Sequence, residues 1–276
     1  MTTTLTVLGC GSSGGVPRLG NFWGACDPSN PKNRRRRCSV LIEKRTKKGV
    51  TRVLIDTSPD LREQLLDAEV GHLDAVIFTH DHADHTHGID DLRVLALLAR
   101  RRLRVYYDAA TRKTLNSRFG YCFRAVAPEY PAILEGHEVA PGEAIVVKGE
   151  GGKLTLHPFA QEHGAIVSLG IRCGELVYSS DVSDVPEASL PYLEDMGIWI
   201  VDALRYTYHP AHFAVKDALR WIERCAPRQA VLTHLHVDLD YATLEAETPS
   251  HVTPAYDGMT ITFDDMARWS ANAQIA

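Results

Sequence analysis

Residues 79–88, THDHADHTHG, place four histidines and two aspartates in ten positions. Histidine accounts for only 13 of the 276 residues of the chain, so composition does not explain this clustering. The segment continues directly from an apolar run, LDAVIFT at 73–79, which has the pattern of a buried strand. Active-site groups of α/β proteins commonly lie just beyond such strand ends. A solvated polar loop needs no such density of imidazole and carboxylate groups, so the stretch predicts a metal site.

The spacing within this stretch suggests two metal ions. In an extended segment His80 and His82 point to the same side and can bind one ion. Asp84 and His85 are displaced by the following turn and can reach a second ion. Two ions need more ligands, and three later polar residues also follow apolar strands: His163 in FAQEHGA, Asp181 ending ELVYSSD and His234 ending AVLTH.

Short runs rich in β-branched residues alternate with helical segments in both halves of the chain. Strands are predicted at 5–9, 39–43, 52–56, 74–80, 153–159, 166–173, 175–181, 198–203 and 229–235. Helices are predicted at 58–68, 88–102 and 214–226. In the first helix Ser58 is expected as the N-cap and Pro59 as the first helical residue. The apolar face of the second comprises Ile89, Leu92, Leu95, Ala96 and Ala99.

This alternation predicts an α/β protein built as one domain, residues 1–276, with two similar half-units packed face to face. Two long loops, 15–37 and 110–140, contain Pro and Gly and are expected to carry functional residues. The net charge of −5 and the pI near 6.2 argue against a general nucleic-acid-binding protein.

The expected location is the cytoplasm. The N-terminus lacks a basic leader, and no apolar run approaches the ~18 residues of a membrane span. The six cysteines have no CxxC spacing, which suits reduced thiols better than a disulfide framework. We expect no membrane partner and no nucleic-acid partner, and a homodimer is compatible with the sequence.

The motif Thr79-His80-x-His82-x-Asp84-His85-x-x-Gly88 resembles the signature of the metallo-β-lactamase superfamily. The three later residues follow in that family's order, and the resemblance covers nearly the whole chain. It implies a four-layer αββα sandwich with two metal ions at the edge between the halves. It assigns one ion to His80, His82 and His163, the other to Asp84, His85 and His234, and the bridging position to Asp181. His87 falls at a variable position and is expected on the surface.

The same resemblance concerns Asp56, which ends the strand RVLID and matches an early aspartate that supports the histidine loop. A role as a turn residue before the next helix is nearly as well supported. Two ions would lower the pKa of a bridging water toward ~7, and the resulting hydroxide would be the nucleophile of a hydrolase. Histidine and carboxylate ligands suit zinc or manganese, and iron less well.

The segment GCGSSGG at 9–15, which follows a strand, resembles the phosphodiesterase branch of the superfamily. That branch includes the tRNA 3′-processing endonuclease and the cyclic phosphodiesterase of phosphonate breakdown. A dinucleotide site is not expected, because no helix follows the glycines. Ser12 and Ser13 are therefore predicted to contact substrate. In KNRRRRC at 32–38, Arg35 and Arg37 could match phosphate oxygens, and a solvated charge run is an equal alternative.

The segment HPAHFAVKDAL at 209–219 precedes the last ligand strand. By the resemblance, His212 binds the phosphoryl oxygen or protonates the leaving alkoxide, and His209 is the alternative. His236 lies on the same loop as a ligand and is predicted either to line the pocket or to lie on the surface. The cysteine cluster that holds a structural zinc in the phosphonate-pathway relative is reduced here to Cys26, with Val237 in place of a histidine, so a third metal is not expected.

The leading hypothesis is a phosphodiesterase acting on small cyclic or nucleotide-like phosphate esters. A tRNA 3′-processing endonuclease is the next alternative, and the acidic pI opposes it. A lactone or thioester hydrolase is a third, because hydroxide also attacks carbonyl carbon. A non-catalytic binding module is disfavoured, since all seven ligand positions are filled.

Overall fold

The protein is described by a computed structural model covering residues 2–269. Its strands are β1 (Thr2–Gly9), β2 (Ser39–Thr46), β3 (Gly49–Ile55), β4 (Ala75–Ile77), β5 (Leu103–Tyr107), β6 (Leu134–Glu138), β7 (Ile145–Gly149), β8 (Gly152–His163), β9 (Ile166–Cys173), β10 (Leu176–Ser179), β11 (Ile198–Asp202), β12 (Gln229–Thr233), β13 (Val252–Pro254) and β14 (Thr260–Phe263). Its α-helices are α1 (Leu61–Asp67), α2 (Ala83–Thr86), α3 (Leu92–Ala99), α4 (Ala109–Arg118), α5 (Gly120–Phe123), α6 (Val215–Cys225) and α7 (Tyr241–Glu247). Short 3₁₀ segments cover Pro31–Asn33, Ile89–Asp91 and Glu187–Leu193.

The strands form two seven-stranded sheets, ordered β14-β1-β2-β3-β4-β5-β6 and β13-β12-β11-β10-β9-β8-β7. Within the first sheet, β3 to β6 run parallel, and within the second, β10 to β13 run parallel. The remaining neighbours pair antiparallel. The first half of the chain thus forms six strands of the first sheet, the second half forms the second sheet, and β14 from the C-terminal end adds the edge strand next to β1.

The period-two alternation of the strands sorts their side chains between two layers. Val53 and Ile55 of β3 pack in the core between the sheets. Leu54 points to the opposite side of the first sheet and packs with residues of α1 and α3. In β11, Ile200 faces the other sheet, and Trp199 packs with α6 and α7 on the outer side. Helices therefore cover both outer faces, and the predicted four-layer αββα sandwich is confirmed.

Three local predictions need correction. Helix α1 begins at Leu61, and Ser58 is not its N-cap: the Ser58 hydroxyl accepts from the Asp60 amide and donates to Gln64 in a turn before the helix. Ala99 is exposed because it is the last residue of α3, and the chain leaves the helix at Arg100 in a left-handed conformation with φ of 51°. The stretch 110–140 is not one long loop but contains most of α4, all of α5 and β6.

The fold gathers polar residues at one edge. The carboxyl ends of β3, β4, β10, β11 and β12 lie together there, and each is followed or ended by an aspartate or histidine. Within residues 2–269 there is no helix with the length and apolar character that a membrane crossing requires.

Candidate metal centre

All seven predicted ligands come together at this edge. They are placed by the ends of four strands from both sheets and by the short helix α2, so that residues distant in sequence share one site. The ligands and their positions are His80 and His82 in the turn after β4, Asp84 and His85 in α2, His163 at the end of β8, Asp181 after β10 and His234 after β12.

Two groups of three ligand atoms can be distinguished. In one group the ligand atoms of His80, His82 and His163 lie within 4.8 Å of one another, and in the other group the same holds for Asp84, His85 and His234. Within the first, His163 Nε2 is 3.2 Å from His82 Nδ1. These are the two sets that the sequence motif implied.

The Asp181 carboxylate lies between the two groups. Its Oδ1 is 3.1 Å from His85 Nε2, and its Oδ2 is 3.5 Å from His234 Nε2 and 3.7 Å from His163 Nε2. One carboxylate thus faces ligands of both groups, as a bridging position requires.

The buried polar atoms of this cluster fit a cation. His80 Nε2, His85 Nε2, His234 Nε2 and Asp181 Oδ1 are buried and have no hydrogen-bond partner. Leaving such atoms unpaired costs free energy, and a cation at the point where they converge removes that cost. The residues present therefore fit a pair of divalent metal ions.

The protonation states of His80, His163 and Asp181 suit metal binding, which needs neutral imidazoles and ionised carboxylates. Burial lowers the pKa of His80 well below its usual range and that of His163 to about 4. Burial alone would raise the pKa of Asp181, but His234 and His85 hold it well below its usual range. Both imidazoles are therefore neutral, and the carboxylate is ionised, near neutral pH. At His85 burial favours the neutral ring, but Asp181, Asp84 and Asp56 outweigh it and raise its pKa well above the usual range, so a metal ion there would replace a proton.

Hydrogen bonds fix which imidazole nitrogen faces the centre. His163 Nδ1 donates to the Ala211 carbonyl at 2.6 Å, and His85 Nδ1 donates to Asp56 Oδ2 at 2.7 Å. His80 Nδ1 is 3.0 Å from the Thr79 hydroxyl, which itself donates to Asp56. Each ring therefore directs its Nε2 at the centre.

Asp56 is fully buried and supports the histidine loop as well as His85. Its Oδ1 accepts from the Thr79 amide at 2.8 Å. Both Asp56 and His234 have left-handed backbone conformations, with φ of 64° and 59°. Such conformations are uncommon for residues with a Cβ and concentrate at functional sites. Gly88 lies so close to this loop that an added Cβ would be 2.1 Å from the Ser58 carbonyl oxygen.

His212 lies beside the ligands and is held by a residue that the sequence analysis missed. Its Nδ1 is 2.6 Å from Oδ2 of the buried Asp202, and its Nε2 is 3.9 Å from Asp181 Oδ2. Its ring stacks on that of His234 at 4.6 Å. Asp202 ends the strand IWIVD just as other site residues end theirs, and that signal could have identified it.

A cavity of about 320 Å³ opens onto the cluster. Ser12, Ser13, His209 and His236 line it, which for His236 favours the pocket position over the surface position that the sequence also allowed. Two guanidinium groups that the sequence analysis missed complete its lining, those of Arg18 and Arg205.

The arginine run at 34–37 does not line this cavity. Arg35 is buried, with 1% of its surface exposed, and donates to the Asn33 side chain at 3.1 Å and the His236 carbonyl at 3.4 Å. The Arg37 guanidinium pairs with Asp60 at 2.8 Å. The prediction that these two side chains contact substrate is therefore corrected: Arg35 is bound by neutral acceptors of the protein itself, and Arg37 is paired with an aspartate.

The neighbouring loop is joined to the last ligand loop by hydrogen bonds. The Cys26 thiol donates to the Val237 carbonyl at 3.4 Å, and the Asn33 amide donates to Asp240 at 2.6 Å. This network ties the loop that carries Cys26 and Asn33 to the loop that follows His234. His87 is exposed and contacts Phe119 edge-on.

The chain has relatives among known proteins. A family model described as a beta-lactamase superfamily domain matches residues 51–235. An octanoyltransferase of Porphyromonas gingivalis (strain ATCC BAA-308 / W83) is 33% identical over 262 residues, which are 94% of this chain and 51% of that protein. The chain thus spans about half the length of this curated relative.

Solved structures share the fold. The crystal structure of a new diphosphatase from the PhnP family has a TM-score of 0.85 and 34% sequence identity, covering 95% of this chain and 98% of that one. Human tRNase Z, short form, has a TM-score of 0.65 and 17% identity, covering 94% of this chain and 98% of that one. At that lower identity the likeness concerns the fold alone.

Proposed function

Because the chain belongs to the metallo-β-lactamase superfamily, and is a hydrolase of that fold, we propose that it is a phosphodiesterase that uses two divalent metal ions on small phosphate-containing substrates. The observation that carries the proposal is a cluster of seven ligand side chains, five of which line one small cavity together with His212 and two guanidinium groups. The 34% identical relative described as a diphosphatase supports a phosphorus centre as the site of attack.

The metal ions, zinc or manganese by the donor set, would be held by the ligands described above, and when bound they make hydroxide available near neutral pH and offset charge on the phosphoryl oxygens. The chain's own contribution begins with ligand placement. Asp56 and the Ala211 carbonyl orient His85 and His163 so that their Nε2 atoms face the centre.

His212 is proposed to serve the leaving group. Asp202 accepts from Nδ1, so that Nε2 is the nitrogen directed at the centre, where it can hold a proton for the departing oxygen. Burial lowers the pKa of His212, which makes its protonated form a stronger acid.

The cavity lining favours phosphate esters over acyl substrates. Apart from Leu204 and Ala211, its residues are polar or charged. An octanoyl chain would need an apolar channel. The octanoyltransferase relative is about twice as long as the part that matches this chain, so its name does not assign an activity to the matched part. The guanidinium groups instead suit phosphate oxygens.

A tRNA substrate is less well supported. The small cavity and the net charge of −5 offer little for a large polyanion. Small phosphate compounds are therefore the proposed partners, and the six free thiols are in keeping with the reducing cytoplasm as the proposed location.

The test is a side-by-side assay of the metal-loaded protein. Bis-p-nitrophenyl phosphate, a homoserine lactone, an octanoyl thioester and a precursor tRNA are offered at equal enzyme concentration. We expect the phosphodiester to give the highest kcat/KM among the three small compounds. Faster turnover of the lactone or thioester would contradict the proposal, as would tight, steeply salt-dependent binding and cleavage of the tRNA.

A further inference from the structure

Two positively charged side chains at the metal cavity have no carboxylate partner. Among the ion pairs of residues 2–269, none involves Arg18 or Arg205, although both side chains line the cavity. Arg36 and Arg37 in the neighbouring loop are paired with aspartates, and Arg35 of the same loop is buried on neutral acceptors away from the cavity. A guanidinium beside a catalytic centre and without its own counterion is suited to bind an anionic part of the substrate.

Arg205 is held in place by backbone carbonyls. Its Nη2 donates to the Tyr208 carbonyl at 2.8 Å, and its Nε donates to the Thr207 carbonyl at 3.3 Å. These bonds use neutral acceptors, so they orient the guanidinium without neutralising it. The side chain is thereby pre-positioned at low cost in conformational entropy.

Arg18 approaches the cavity from the loop after β1. Its guanidinium hydrogen-bonds to Nε2 of His236, and its backbone forms a pair of hydrogen bonds with Phe22, at 2.9 and 3.2 Å. Because a guanidinium can only donate, Nε2 must accept, and Nδ1 of that ring lies 3.1 Å from Asp238. His236 therefore orients Arg18 while its other nitrogen contacts Asp238.

A third polar group completes the arrangement. Ser12 lines the same cavity with 2% of its surface exposed, and its hydroxyl is buried without a hydrogen-bond partner. Its amide donates to the Leu235 carbonyl at 3.2 Å, which ties the serine to the residue after His234. A buried hydroxyl without a partner beside two unpaired guanidinium groups indicates a ligand with several oxygens.

The charges of the metal centre do not account for these groups. Its carboxylate ligands, Asp84 and Asp181, carry two negative charges, and two divalent ions already exceed them. A substrate with one phosphate would place that phosphate at the centre and leave the guanidinium groups without an anion.

We propose that Arg18, Arg205 and Ser12 bind a second phosphate, so that the substrates are diphosphates in which the two phosphorus atoms share a bridging oxygen. This inference rests on the proposed function and names its substrate class. One water is consumed: its oxygen bonds to the phosphorus at the metal centre, and the bond from that phosphorus to the bridging oxygen breaks. The electron pair stays on the second phosphate, which departs from the two arginines with the water's proton or releases that proton to solvent.

The experiment compares a diphosphate diester, ADP-ribose, with a substrate that has a single phosphate, bis-p-nitrophenyl phosphate. Arg18→Ala and Arg205→Ala are each expected to raise KM for ADP-ribose by about 10- to 100-fold, the loss of one charge-assisted contact. KM for bis-p-nitrophenyl phosphate should change by less than about threefold in the same variants. Arg228→Ala, which removes an exposed guanidinium paired with Glu175, is the matched control and should alter neither.

The outcomes separate the inference from the proposed function. Equal losses on both substrates, or no loss on either, would contradict the second-phosphate site while leaving the phosphodiesterase in place. If the unmodified protein hydrolyses neither compound, the proposed function is wrong, and calorimetric binding of ADP-ribose then decides. Weaker binding by both arginine variants, with Arg228→Ala unchanged, would support the site, and equal binding would overturn it.

Discussion

The imidazole of His212 donates from Nδ1 to Oδ2 of Asp202 across 2.6 Å, and the carboxylate that accepts this bond has no exposed surface. The Val182 amide donates to the same oxygen at 3.1 Å, which fixes the carboxylate in turn. Because this oxygen is buried and accepts two hydrogen bonds, it holds the imidazole in one orientation, in which Nε2 faces Asp181. Asp202 is thus a positioning residue for His212.

His212→Ala is expected to slow catalysis without disturbing the fold. A general acid typically contributes ~10²–10⁴-fold, so kcat should fall by about that factor on a diester with an alkyl leaving group and by less on a p-nitrophenyl ester. Metal content, measured by mass spectrometry of the digested protein, should remain that of the parent. Equal losses for both leaving groups would instead indicate that His212 binds the phosphoryl oxygen.

Asp202→Asn should act through His212. The amide lacks the negative charge that stabilises the protonated ring, so the form of His212 that carries a proton on both nitrogens is less populated, and kcat is expected to fall by about 10- to 100-fold with a smaller change in KM. The discriminating measurement is the double variant with His212→Ala. If Asp202 only positions His212, the double variant is no slower than His212→Ala alone. Fully additive losses would show an independent role for the carboxylate.

Asp181→Asn is expected to weaken both metal sites together. Its carboxylate faces His85 and His234 on one side and His163 on the other. An amide offers one neutral oxygen, so the affinity for both ions should fall. Titration with zinc, followed by calorimetry, measures this. Loss of one equivalent with the other bound at parental affinity would show that Asp181 does not bridge.

Arg35→Met tests the correction made for the arginine run. The variant leaves the acceptors of Arg35 without their donor and should lower the free energy of unfolding by about 1–3 kcal/mol, measured by urea denaturation. Its KM for phosphate substrates should match that of the parent. A raised KM with unchanged stability would return Arg35 to the substrate-binding residues.

Much of the site was predictable because its ligands lie at strand ends. His80, Asp181 and His234 each follow a buried apolar run, and a parallel sheet brings such ends to one edge. The dense motif at 79–88 then pointed to metal chemistry. The strands of both sheets were predictable for a related reason, because a β-branched run with polar residues at its ends indicates a strand in either sheet.

The remaining residues depended on tertiary contacts that periodicity does not encode. Arg18 and Arg35 have the same side chain in the same long loop, yet one lines the cavity and the other is buried against Asn33. Only the path of the loop, fixed by its hydrogen bonds to residues 236–241, separates them. The predicted N-cap at Ser58 failed for the same reason, because its hydroxyl donates to the Gln64 side chain instead of capping the helix.

Metal removal and restoration tests the central claim most directly. The parent protein should bind two divalent ions per chain, lose hydrolysis of bis-p-nitrophenyl phosphate on chelation, and regain it when zinc or manganese is returned. His82→Ala, which removes one ligand, should bind less metal and stay several orders of magnitude slower even at saturating metal. Undiminished hydrolysis by the fully chelated parent protein, or two full equivalents of metal in an active His82→Ala variant, would contradict the account.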